Sequence, residues 1–437
     1  MDKLTKIDLK TMDKIIKDNN SLFLCGNGFS INFDSDFGNI FDRLHEAHKL
    51  IIHNGKYEIA KDAQGLKGKN LKGYKNVLNY TKYFSKNQLK TIFIDAYKFA
   101  QSIINNEMII RELTENDYIT NLTFGRNQID LVKEICDIGD KHNVESVNIE
   151  YWTILIYFYF ALKQLNSANY QFPKFNSFLT IIEIGHIDEV TYMDTNKPQD
   201  IVIESTLFNG FNTYYRLLFC TAIFSNGKVF DMNKLNKTSS LSMNNIREYL
   251  KEFNSLITLN YDRILDKLMF NNHIYHPHGA FTTKKEFIHG QSLGLSYGNN
   301  QYVSFSDILI GDYFYNKTYR STINNLAKNS YYNRKQKHIS EIINNAIKDN
   351  NINTSVIFGM NIQNDQHVIR NIMMGYFFAE IQNPKIIYCY FNEEEGLQFQ
   401  REFKNMITFS PEASEYAKNI EIQYIDTHDI LNKHFNK

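Results

Sequence analysis

The sequence predicts an α/β fold: a Rossmann-like parallel sheet with helices on both faces, joined to a large, mostly helical insertion. Three observations predict it. Short apolar runs ending in glycine or polar residues recur at 21–25, 255–262, 354–359, 385–391 and 421–425, and helical patterns separate the later ones. The first run passes directly into Gly26-Asn27-Gly28-Phe29-Ser30, two glycines and a hydroxyl at the end of a buried strand. The long stretch between the first and second runs instead carries apolar residues at helical spacing, with few strand-like segments.

In chain order, Leu9, Met12, Ile15 and Ile16 have the spacing of a short amphipathic helix within 5–18, and Asp18-Asn19-Asn20 stops it before the strand at 21–25. After the glycine turn, Phe41, Leu44, Ala47 and Leu50 predict a helix over 39–51, completing a strand–turn–helix nucleotide-binding half-unit. Long helices are predicted near 88–105, 127–141, 150–165 and 209–224, and a strand pair near 178–192. The α/β pattern resumes at Ser255, with a helix over 263–270. A second insertion at about 280–345 is rich in glycine and tyrosine before it becomes a charged helix. Strands at 354–359, 385–391 and 421–425 and helices at 365–380 and 394–406 complete the chain. The expected division is 1–54 plus 250–437 for the α/β domain and 55–249 for the helical insertion.

Composition narrows the function. With 48 basic and 48 acidic residues the chain has no net charge, which argues against nucleic acid as a partner. The four cysteines, Cys25, Cys136, Cys220 and Cys389, form no CxxC pair, so neither a disulfide framework nor a cysteine zinc site is expected. The longest uncharged apolar run, 151–162, is too short to span a bilayer, and residues 1–20 lack the apolar core of a secretion signal. A cytoplasmic protein without membrane contact is the expectation.

Ligands of open parallel sheets bind beyond the carboxyl ends of the strands. Four polar clusters fall there: Gly26 to Ser30, Thr258 to Asp262, Gly359-Met360-Asn361, and Asn392. In a doubly wound sheet they converge on one crevice. The glycine turn is not a dinucleotide GxGxxG, because Ile31 takes the third glycine's place, and no Gly-Lys-Ser/Thr of a phosphate loop follows.

The succession GxGxS, Thr-x-Asn-x-Asp, His-Gly and a strand ending in glycine resembles the sirtuin-like NAD-binding family, and within it the bacterial sirtuin-like NAD hydrolases of antiphage defence. Asn260 and His278 are 18 residues apart, close to the family's separation. The resemblance covers roughly 5–50, 250–282 and 350–430. It implies that Gly26, Gly28 and Ser30 cradle the NAD diphosphate, with Asn27 and Phe29 in the same turn and Phe29 as a cap or gate at the nicotinamide end. It implies that Asn260, beside Thr258, holds the nicotinamide-side ribose and the attacking water. Asp262 would contact the carboxamide and His278 would be the general base. Gly359 and Asn361 would approach the phosphate and the adenosine ribose, whose hydroxyls Asn392 would hold. NAD is then the substrate, and no metal is expected because the cysteine pairs of the deacetylases' zinc module are missing.

Plainer roles stand beside these. Asp262 suits a helix N-cap, Asn361 and Asn392 suit turns, and Asn364-Asp365 suits the cap of the following helix. His273, His276 and His278, with His289 nearby, raise a metal site, but no carboxylate or cysteine lies at a typical ligand spacing, and a turn role bonded to backbone is the expectation for His276. Two function classes follow. One is an NAD hydrolase yielding ADP-ribose and nicotinamide, kept inactive until triggered, with the insertion serving oligomerisation or a partner protein. The other is a non-catalytic sensor of NAD or an ADP-ribose-type nucleotide; a defence protein of the AbiH type, which shares a GNGF-like opening, is a neighbouring alternative.

Overall fold

The computed structural model describes residues 3–53, 58–59, 68–120, 127–149, 151–187, 198–281, 287–288, 291–292, 294–298, 301–304, 339–407 and 410–437. Its contacts divide the chain into a sheet unit (1–39, 224–281 and 337–437) and a helical unit (40–223 and 282–336). The helix expected at 39–51 belongs to the helical unit, and residues 224–249 belong to the sheet unit.

Strands whose every residue is apolar or small have no face suited to water, and they pair here in the centre of a sheet. β1 (Ser21–Cys25), β2 (Ser255–Thr258) and β4 (Thr354–Phe358) are buried at every position, and β5 (Lys385–Tyr390) at all but its first. With β3 (Ile274–Tyr275) and β6 (Glu421–Asp426) they form one all-parallel sheet in the order β3-β2-β1-β4-β5-β6. The chain builds outward from β1 to β3, returns to β4 beside β1, and builds outward again. The reversal between β1 and β4 is the topological switch point, where open α/β sheets form their ligand crevice.

Alternation along β1 sorts the two faces. Leu22 and Leu24 join Ile257, Ile357 and Ile386 against Ile343 and Ile347 of α5 (Ile339–Asp349) and Ile369, Ile372 and Tyr376 of α6 (Ile362–Phe378). Phe23, on the other face, meets Phe29, Phe358, Tyr249 and Phe253 edge-on or tilted at 5.2–6.1 Å. Tyr249 lies on α3 (Met243–Lys251). The outer edge at β6 is covered by the N-terminal segment, whose Ile7 N–H donates to Tyr424 O and whose Thr5 O accepts from Tyr424 N–H.

Several helices of this unit have a sequence-encoded start. Asp8 accepts from Thr11 N–H to begin α1 (Leu9–Asp18); Asn361 and Asn392 cap α6 and α7 (Glu393–Met406); Ser410 caps α8 (Pro411–Lys418). Glu393, Glu394 and Glu395 occupy the first turn of α7, where the helix dipole favours them. Two short helices complete the crossovers: α2 (Asn27–Ile31) directly after β1, and α4 (Ile264–Leu268) between β2 and β3. The glycine turn is thus the first turn of α2, not a loop preceding the helix at 39–51; that helix is observed separately at Ile40–Ile52.

In the helical unit, the predicted long helices occur at Lys86–Ile104, Gln128–Lys141, Thr153–Leu165 and Gly210–Phe224. The strand pair expected at 178–192 is not formed: Ser177–Gly185 is a helix capped by Asn176. Phe178, Leu179, Ile181 and Ile182 bury as a helical stripe, so spacing and cap outweigh the isoleucines' preference for strands. Residues 188–192 lie outside the described ones, as do His289 and most of the second insertion. Among the described residues, no helix is long and apolar enough to cross a membrane.

The switch point is held by glycines in direct backbone contact. A Cβ on Gly28 would lie 2.6 Å from Gly359 Cα, and one on Gly359, whose φ is +60°, would lie 2.7 Å from Gly28 C. Gly359→Ala should therefore cost about 1–3 kcal/mol from overpacking and a further ~1–2 kcal/mol from the left-handed backbone. Urea denaturation of the purified variant measures the loss; a midpoint equal to that of the parent would contradict it.

Candidate functional site

At the carboxyl end of β1 the backbone turns sharply, and its amides are already engaged. Gly26 N–H donates to Phe358 O at 3.0 Å, and Gly28 N–H to Gly359 O at 2.8 Å. The glycines thus let the turn after β1 lie on the end of β4; Gly26 and Gly28 do not present these amides to a diphosphate. Asn27 is exposed, with its amide donating to Phe37 O. Phe29 does not line the crevice. It is 1% exposed and packs among Phe23, Phe33, Phe358 and Phe435, so the expectation that it gates a nicotinamide end is corrected. Its position on the inner face of α2 sends the ring beneath the sheet end.

Ser30, the next residue of α2, joins a buried polar chain with the end of β2. Asn260 Nδ2 donates to Gly26 O at 3.0 Å and to Ser30 Oγ at 2.7 Å, and Ser30 Oγ donates to Asp262 Oδ2 at 2.6 Å. Asp262 Oδ1 accepts from Ile264 N–H at 2.9 Å, and Thr258 Oγ1 from Asn260 N–H at 3.1 Å. Ser30, Asn260 and Asp262 are 0%, 8% and 6% exposed. Donors and acceptors alternate along this path, so each bond polarises the next toward the carboxylate. Burial raises the Asp262 pKa above the ordinary carboxylate value; the Ser30 hydroxyl, the Ile264 amide and nearby His276 oppose that shift in part, and Asp266 adds to it. The bond to Ile264 also gives Asp262 its plainer role at the start of α4.

Beyond β3, the turn at Gly279 (φ +75°) carries two histidines with different surroundings. His276 Nε2 meets Asp266 Oδ2 at 3.1 Å and Arg263 Nη1 at 3.3 Å, so its side chain is paired with a carboxylate instead of backbone. His276, with Arg263, holds the Asp266 carboxyl below its usual range against the effect of burial. His278 Nε2 lies 2.9 Å from His367 Nε2 on α6; the rings are nearly parallel, at 12°, with centroids 5.1 Å apart. These histidines are 5% and 7% exposed. Asp365 completes the group, its carboxylate and the two imidazoles each offering an atom within 4.8 Å of the others.

The structure therefore brings together Gly26, Gly28, Ser30, Thr258, Asn260, Asp262 and Gly359 at the adjoining ends of β1, β2 and β4. Asn361 Oδ1 accepts from Gln363 N–H and Asn392 Oδ1 from Glu395 N–H, each at 3.0 Å, so both exposed side chains serve as helix caps. Sequence reading missed His367 and the grouping of Asp365 with His278. The available signal was the Asp-x-His at 365–367, on an element that returns to the sheet beside β1, but Asp365 reads more simply as a cap. Comparison of the chain with protein-family models, with curated proteins and with solved structures returned no match.

The raised Asp262 pKa has a definite sign. The folded chain keeps this proton where the unfolded chain, with a pKa of about 3.9, has lost it. The stabilisation is complete below the unfolded pKa and disappears as pH rises through the folded one. The stability of the parent relative to Asp262→Asn should accordingly fall as pH rises from the unfolded pKa, about 3.9, through the folded one. Paired chemical denaturation curves across that range measure it; a difference that grows with pH refutes the assignment.

Proposed function

We propose that the sheet unit is an NAD glycohydrolase. In this reading the bond between nicotinamide and ribose breaks, nicotinamide leaves with the bonding pair, and water adds to the oxocarbenium-like ribose. ADP-ribose, nicotinamide and one proton are the products. The supporting observation is the buried Ser30–Asn260–Asp262 chain at the strand ends beside the switch point, with His278 on the turn after the neighbouring β3. Such a reaction asks for an oriented sugar and a base for water more than for a strong nucleophile. Both Nδ2 protons of Asn260 are committed to Gly26 and Ser30, so its Oδ1 is the group assigned to the ribose or the water. His278 takes the water's proton, a role its residue type fills near neutral pH. The diphosphate lies over the turn at Gly26 and the loop at Gly359. Uncontrolled loss of NAD would kill the cell, so the activity is regulated, in keeping with an abortive antiphage role, and the helical unit is assigned to self-association or a partner protein.

A second reading, a non-catalytic nucleotide sensor, is favoured by one observation: the Gly26 and Gly28 amides and the Asn260 side-chain protons are already bonded within the fold. Nicotinamide release by purified protein, and NAD levels in expressing cells with and without phage challenge, separate the two. Hydrolysis predicts that His278→Ala lowers turnover by about 10²-fold or more while circular dichroism shows the fold retained. Calorimetric binding of NAD without nicotinamide release under any challenge supports the sensor and rejects the enzyme.

A further inference from the structure

We propose that His278, Asp365 and His367 form a binding site for a divalent transition-metal ion, on grounds that do not rest on the proposed reaction. One ligand comes from the turn after β3 and two from the first turns of α6. Residues two apart on a regular helix point in widely different directions and cannot share a ligand. Asp365 departs from helical geometry, with φ −120° and ψ 28°, inside α6. That departure accompanies the convergence of Asp365 and His367, with their offered atoms within 4.8 Å of each other and of His278. On the other side, the left-handed Gly279 follows His278 directly and closes the turn through its N–H to His276 O at 3.0 Å.

The donor set selects the kind of ion. Two imidazoles and one carboxylate suit Zn²⁺, Fe²⁺, Co²⁺ or Ni²⁺, whereas Mg²⁺ and Ca²⁺ seek oxygen. The spacing selects the geometry. The imidazole nitrogens are 2.9 Å apart, and with metal–nitrogen bonds of about 2.0–2.1 Å that separation subtends roughly 90° at the ion, while a tetrahedral angle needs about 3.4 Å. Adjacent ligands of a five- or six-coordinate ion meet at that angle, an arrangement of two histidines and one carboxylate that leaves further positions for water or substrate. The single carboxylate lowers the cost of bringing a dication against two buried rings. His276 stays outside the set, since Asp266 and Arg263 hold its Nε2, and all four cysteines are buried without a disulfide.

The test is titration of the chelator-stripped full-length chain with Co²⁺, followed by visible absorption and by metal-to-protein ratio after dialysis. One Co²⁺ per chain is expected, displaced by Zn²⁺ and not by equal Mg²⁺, with weak d–d bands and no thiolate charge-transfer band. His367→Ala and the near-isosteric Asp365→Asn should each weaken binding by about tenfold or more, and His276→Gln should leave it unchanged. Circular dichroism melting verifies that each variant folds. No saturable Co²⁺ binding by the parent overturns the proposal, as does a thiolate band or equal affinity in parent, His367→Ala and Asp365→Asn. None of these readouts depends on NAD turnover, so failure of the hydrolase reading leaves the metal test intact.

Discussion

The approach of two backbones at Gly28 and Gly359 is the constraint on which the candidate site depends. β1 and β4 are neighbours in the sheet though more than three hundred residues apart in the chain. Their carboxyl ends could diverge, as strand ends at a switch point commonly do. Here the turn after β1 lies on the loop after β4, joined by the Gly26–Phe358 and Gly28–Gly359 bonds, at a distance that leaves no space for a Cβ on either glycine. Gly359 adds a second requirement, since φ of +60° is costly for other residues. Once that contact forms, α2 is fixed in direction, Phe29 is committed to the aromatic layer under the sheet, and Ser30 is delivered to Asn260 and Asp262.

Polar burial extends this rigidity from β1 to β2. Three side chains removed from water at one strand end are destabilising unless each finds a partner. The chain from Asn260 through Ser30 to Asp262 meets that condition with donors and acceptors in alternation, and it ends on the Ile264 amide at the start of α4. The raised Asp262 pKa records the residual cost of keeping a carboxylate there. The network fixes these buried side chains in positions settled on folding.

Much of this was legible in the sequence because each signal was local. Runs of apolar and small residues at 21–25 and 354–358 marked buried parallel strands, and Asn392 followed by three glutamates marked the start of a helix. The glycine turn announced a close backbone approach, but a ligand and another loop of the same chain make the same demand of glycine, and only the tertiary fold distinguishes them. Phe29 illustrates the same limit: its type favours core or gate equally, and the register of α2 decided for the core. The helix at Ser177–Gly185 was obscured by isoleucines that suit strands. The meeting of His278 with His367 could not be read at all, since it depends on α6 returning to the sheet beside β1 and on a local departure from helical geometry at Asp365.

That meeting bears directly on chemistry. A histidine that accepts a proton from water needs an available lone pair on the nitrogen facing it. At His278 the Nε2 atom faces His367 at 2.9 Å, a distance over which two imidazoles share one proton or converge on one cation. In the first arrangement, His367 sets which tautomer His278 adopts and stabilises the charge His278 gains, making it a positioning residue for any base chemistry there. In the second, the lone pair is spent on the metal, and His278 cannot serve as a base through that nitrogen while the ion is bound. Proton transfer through His278 Nε2 and metal ligation by it are therefore mutually exclusive states of one buried pair, and metal availability would regulate any reaction that needs that base.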